Sequence, residues 1–178
     1  MTPRLLFALI IALFIGGCVG ERGPTGPRGE GNAEIRTFFY NLNPADWQPT
    51  EAVDQWFIRI NEPFITASVT DNGAVLCYYL SENGAWSLMP ITNNYYTPEG
   101  QIYSEEFWFS YFDGFIDFDY RDMHPTEPLP PGGLIEIKAV IIENWSSVSS
   151  MIGQDDIKTY DSLEAALNLK NDSEEITE

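Results

Sequence analysis

The sequence predicts a mainly β domain, an antiparallel β-sandwich of about eight strands followed by one short C-terminal helix. Three observations predict it. Runs of β-branched and aromatic residues recur at hairpin spacing, separated by turn clusters of Asn, Asp, Gly and Pro. Aromatic residues make up 14% of the 178-residue chain, a share that suits pleated, half-buried surfaces. From Phe115 to Asp122, Ile116, Phe118 and Tyr120 alternate with Asp117, Asp119 and Arg121, the period of a strand with one buried face. A small barrel is the alternative closure of the same strands.

In chain order, Arg4 precedes an apolar run from Leu5 to Ile15, and small residues lead to Cys18. A basic start, a short apolar core and small residues mark an export signal. As a helix, Leu5 to Gly17 would rise about 20 Å, short of the ~30 Å hydrocarbon core of a bilayer. Ile15-Gly16-Gly17-Cys18 resembles a bacterial lipobox. That resemblance implies cleavage after residue 17, diacylation of the Cys18 sulfur and attachment to a membrane. The expected location is the cell envelope of a bacterium, with the outer membrane favoured.

Residues 18–33 form the expected tether. Glycine occupies every third place at Gly20, Gly23, Gly26 and Gly29, with Pro24 and Pro27 following two of them. This is the Gly-X-Y pattern of collagen. Asn32 stands where the next glycine would fall. Four triplets make a solvated spacer of up to roughly 37 Å if wholly polyproline II. A triple-helical stalk is the alternative, and a monomer is expected over a trimer.

The β-domain is expected over 34–145. Ile35 to Tyr40 and Gln55 to Ile60 read as strands. Phe64 to Thr70 and Ala74 to Leu80 read as a further pair, joined at Asn72-Gly73 by a hairpin turn. Trp86 to Ile91 contains Pro90, which cannot donate to a ladder, so that strand is an edge or is broken there. Asn93 to Gly100 reads as a loop bearing Tyr95 and Tyr96. Ile102 to Phe112 and Phe115 to Asp122 flank Asp113-Gly114 as a hairpin. His124 to Gly133 is an irregular, proline-rich connection. Leu134 to Ile142 alternates and then becomes continuously apolar, as a strand does on entering a covered interior. A C-terminal tail is expected over 146–178. Ser146 to Gln154 reads as flexible, and a helix is expected at about 162–170 with Asp161 as N-cap and Glu164 closing a capping box.

The net charge is −18, from 27 acidic and 9 basic residues. Nucleic acid is excluded as a partner, because phosphate binding needs clustered Lys and Arg. An anionic lipid surface would repel the domain, so membrane attachment rests on acyl chains. Cys77, inside an apolar strand, reads as a buried thiol with no basic group beside it to activate it.

No cofactor or metal is expected. Asp113, Asp117, Asp119 and Asp122 do not share one strand face, and His124 has no second ligand of its kind. The serines lack a Gly-x-Ser-x-Gly turn. Among Trp47, Trp86, Tyr95, Tyr96, Trp108 and Trp145, the pair Tyr95 and Tyr96 is the candidate exposed site for stacking on a glycan or anchoring a protein.

The lipobox, the Gly-X-Y triplets, the segment Val69 to Leu76, Trp86 to Pro90 and the closing strand Ile135 to Ile142 together resemble the collagen-like lipoproteins of Bacteroidota. The resemblance implies export, anchoring and a β-rich domain, and brings no catalytic residues. The expected function is a lipid-anchored, non-enzymatic binding or structural module of the envelope. The alternative is an envelope hydrolase acting on glycans.

Overall fold

The structure, a computed structural model, describes residues 34–169. Cys18 and the Gly-X-Y triplets lie outside the described residues.

Among the described residues, nine strands form two antiparallel sheets. The first sheet orders β1 (Ile35–Leu42), β9 (Ile135–Ile142), β4 (Ala74–Leu80) and β5 (Trp86–Leu88). The second orders β2 (Gln48–Pro49), β3 (Gln55–Asn61), β8 (Phe115–Asp122), β7 (Ile102–Phe112) and β6 (Ile91–Tyr96). One core cluster draws on both: Phe38, Cys77, Ile137 and Ala139 from the first sheet meet Ile58, Phe107, Ile116 and Phe118 from the second. The sheets therefore pack face to face, as a sandwich does.

Residue parity decides each face. Ile137, Ala139 and Ile141 of β9 enter the core between the sheets. Val140 and Ile142 enter a second cluster on the opposite face, with Tyr78, Val148, Tyr160 and Leu163. The apolar run that ends β9 thus records burial on both sides. Its cover is helical: α2 (Trp145–Ser149) and α3 (Tyr160–Leu167) lie against the outer face of the first sheet. The expected flexible stretch after residue 146 is therefore in part helix, because Asn144 caps it by accepting from the Ser147 N–H at 3.2 Å and Val148 is wholly buried. The final helix begins earlier than the capping box suggested. Thr159 is its N-cap, accepting from the Ser162 N–H at 3.2 Å, and this start places buried Tyr160 in the first turn. Asp161 falls in that same turn, where a negative charge suits the helix dipole.

Two further expectations are corrected. Phe64 to Thr70 is not a strand, and Asn72-Gly73 is not a hairpin turn. Ala67–Asn72 is a short helix, α1. Val69 within it and Ile65 just before it are both wholly buried, and the Thr70 N–H bonds the Thr66 carbonyl at 3.0 Å, the i to i−4 bond of a helix. Gly73 ends the helix, its N–H bonding the Val69 carbonyl at 2.9 Å, with an extended backbone at φ −99°. Likewise, residues 93–96 of the expected loop Asn93 to Gly100 belong to strand β6 (Ile91–Tyr96). Six register pairs join β6 to β7, and this pairing overrides the low strand preference of Asn93 and Asn94.

Pro90 does break its strand. β5 and β6 lie on either side of it, one at the edge of each sheet, with Met89 buried at the crossing. On the outer face of the second sheet, Arg59 clasps Asp117 through two hydrogen bonds of 2.7 and 2.6 Å. Arg121 bonds Asp54 at 2.8 Å.

Candidate functional site

The inner face of the second sheet changes character toward one end. One row across β6, β7 and β8 is Ile91, Phe107 and Tyr120, and it is apolar apart from the Tyr120 hydroxyl. The next row is Asn93, Glu105 and Asp122. Beyond it Tyr95 stacks on Tyr103, with ring centroids 5.5 Å apart, and the His124 ring meets Tyr103 edge-on at 4.8 Å. Core packing thus gives way to a polar row and then to an aromatic rim.

These rows line a cavity of about 550 Å³, within the range of about 300–1,000 Å³ usual for ligand pockets. Tyr79 and Ile135 of the first sheet form the facing wall. The β8–β9 connection contributes Leu129, Pro130 and Pro131. Asp122 fixes the start of that connection. One of its carboxylate oxygens accepts from the His124 N–H at 2.8 Å, and the other from the Leu129 N–H at 2.9 Å. The His124 Nδ1 then accepts from the Glu127 N–H at 3.1 Å. Carboxylate and imidazole thereby fold an irregular segment into one border of the cavity.

Glu105 is the central polar group. Its withdrawal from water raises its pKa above the usual carboxylate range, and the neighbouring Asp122 carboxylate adds to the rise. Hydrogen bonds from Tyr120 and Tyr95 oppose it. Burial and the Glu105 charge push the Tyr120 phenol upward in turn, so it remains a neutral donor. Behind this wall lies the Trp47 indole, its ring 5.9 Å from Phe107 and 6.0 Å from Tyr120. Its Nε1–H is the one buried side-chain polar atom without a partner among the described residues.

Acidic residues Glu105, Asp122 and Glu127 line the cavity, and neither Lys nor Arg is among its lining residues. The arrangement can stack a flat apolar face on its rings, accept hydrogen bonds and attract positive charge. It repels anions. Among the described residues, no group of three His, Cys, Asp or Glu side chains could hold a metal ion.

The structure separates the two tyrosines singled out in the sequence. Tyr95 lines the cavity. Tyr96, one residue on, has the opposite parity and is 71% exposed. Trp47 is buried in the core, Trp86 and Trp145 belong to the helix-covered cluster, and Trp108 lies on the outer face of the second sheet. Sequence reasoning missed Asn93, Tyr103, Glu105 and Tyr120 as a group. They come together only through strand register, although the placement of Tyr103 and Glu105 at two-residue spacing from Phe107 was a usable signal. Neither a family model nor a curated protein nor a solved structure matches the chain.

Proposed function

We propose that the protein is an exported, lipid-anchored module of the bacterial cell envelope that holds a glycan residue in the Glu105 cavity without transforming it. The observation that carries this reading is the polar row Asn93–Glu105–Asp122 set between aromatic side chains in an open cavity. Rings stack on the apolar face of a sugar, while the row meets its hydroxyls. Anchoring rests on the lipobox at Ile15 to Cys18, and display on the Gly-X-Y spacer. The resemblance to collagen-like lipoproteins of Bacteroidota supports the same arrangement.

The cavity also brings acids together, which bears on the hydrolase alternative. Two-carboxylate glycoside hydrolysis needs both groups free to act on the scissile bond. Glu105 and Asp122 are direct neighbours on adjacent strands of one sheet. Both oxygens of Asp122 are, however, held by backbone N–H groups that shape the border of the cavity. That structural duty favours holding over cleaving.

A glycan binding screen on residues 32–178 tests the reading. We expect a hit whose affinity falls about tenfold, equivalent to about 1.4 kcal/mol, in Tyr103→Ala. A hit unaffected by that change, or no hit at all, would remove the cavity from the function. Separately, Cys18→Ser is expected to abolish acylation and release the protein from the detergent phase. Unchanged partitioning would sink the anchoring.

A further inference from the structure

The charge around the cavity narrows its ligand beyond a glycan in general. The proposal rests on the reading of the cavity as a binding site and names the chemistry it selects. Three features act together. The walls are aromatic, with Tyr79, Tyr95, Tyr103 and Phe107 among the lining residues. Their π faces attract cations within about 6 Å of a ring centroid. The lining carboxylates Glu105, Asp122 and Glu127 have neither Lys nor Arg beside them in the cavity. Their partners there are neutral donors, backbone N–H groups for Asp122 and tyrosines for Glu105. On the outer face of the same sheet, by contrast, Asp117 is clasped by Arg59 and Asp54 is bonded by Arg121. A chain of net charge −18 adds a long-range field that draws in cations and turns anions away.

The geometry points to a protonated amino sugar as the occupant, its ammonium seated between Glu105 and Asp122 and its ring stacked within the Tyr95–Tyr103 rim. Asn93 lies opposite Glu105 in the register and offers an amide to an adjacent hydroxyl. Glu105 is the group that selects the amine. Asp122 contributes charge while its N–H contacts hold the border of the cavity in place.

The test compares three sugars of one ring and different charge on the full chain in neutral detergent: glucosamine, glucose and glucuronate. Binding is read from the amide resonances of residues 93, 105 and 122 at low salt, below the pKa of the amine. Glucosamine is expected to bind at least tenfold more tightly than glucose, and glucuronate to leave these resonances unmoved. Added salt should shrink the advantage of the amine, since screening weakens charge contacts. Glu105→Gln should bring the glucosamine-to-glucose affinity ratio down to about one, whatever it does to the affinity for glucose itself. Its melting curve, together with amide resonances elsewhere in the domain that stay in place, separates lost charge from lost fold. Asn93→Lys, which sets an ammonium opposite Glu105 on an exposed edge strand, should weaken glucosamine tenfold or more. Equal binding of glucosamine and glucose overturns the amine preference and leaves the binding site standing. No response to any of the three overturns both. Nα-acetyl-lysine amide, whose side-chain ammonium is free, would on displacing glucosamine move the amine onto a protein partner and overturn the amino-sugar assignment.

Discussion

The carbonyl oxygen of Ile142 lies 2.2 Å from the point that a Cβ on Gly73 would occupy. The Cα and carbonyl oxygen of Val69 stand 2.9 Å from that same point. All three atoms are backbone, so none can swing aside. Glycine is required here by the close approach of α1 and β9, since its φ of −99° is open to any residue. Gly73→Ala is expected to destabilise the domain by about 1–3 kcal/mol, the usual range for overpacking, and Gly73→Val by more. Urea denaturation measures it. A midpoint within error of the parent would mean that α1 and β9 can part without cost.

Cys77 has no exposed surface, and burial pushes its thiol pKa well up. Since the thiolate is the reactive form, native protein should label slowly with a thiol reagent and denatured protein quickly. Rapid native labelling would show that β4 opens to solvent.

Thr159 holds the start of the helix that roofs the first sheet. Thr159→Ala should cost about 1 kcal/mol, and Thr159→Ser should retain most of the stability. If the two variants melt alike, the hydroxyl contact to Ser162 adds nothing.

Glu105 makes a pH-dependent contribution whose sign follows from its raised pKa. The folded state holds this proton more tightly than the unfolded state does. Its favourable contribution is complete below the unfolded pKa and is lost as pH rises through the higher folded value. At neutral pH the ionised carboxylate therefore weakens the fold. Glu105→Gln should melt higher than the parent at neutral pH, with the gap closing on acidification through the carboxylate range. Paired melting curves across that range check it, and a gap that widens in acid would contradict the burial argument.

Lys138 extends its ammonium over three rings on the helix-covered face, 3.9 Å from the Tyr160 centroid, 4.6 Å from Trp86 and 5.1 Å from Phe39. Desolvation there lowers its pKa. A double-mutant cycle between Lys138→Gln and Tyr160→Leu should return a coupling of about 0.5–1 kcal/mol. Zero coupling would reduce the contact to proximity.

What the sequence reveals follows from how local each signal is. β7, β8 and their Asp113-Gly114 turn were legible because alternation and turn chemistry sit within one short window. β9 was legible because its uninterrupted apolar stretch, Ala139 to Ile142, needs cover on two sides. Residues 64–73 were not, because a short run of Ile, Thr and Val suits strand and helix alike. Burial of Ile65 and Val69 against the core is a tertiary preference that no local pattern carries. The cavity was half legible. Tyr95 stood out as an exposed aromatic, but Glu105 was one of 27 acids, and nothing near it in the chain names Asn93 or Asp122 as neighbours. Register supplies that information, and register is a property of pairs of distant segments.

The pairing of β1 with β9 also decides how the domain bears load. Ile35 is matched with Ile142 at one end of the ladder and Leu42 with Ile135 at the other, and Ile135 lines the cavity. Ile35 at the start of β1 and the cavity thus lie at opposite ends of the ladder, an eight-residue strand or about 25 Å apart. A pull between the two ends runs along the strands, across hydrogen bonds that stand perpendicular to it. All eight pairs of β1 and β9 then resist together in shear. The same ladder would peel open one bond at a time if the chain and the ligand were held at a single end.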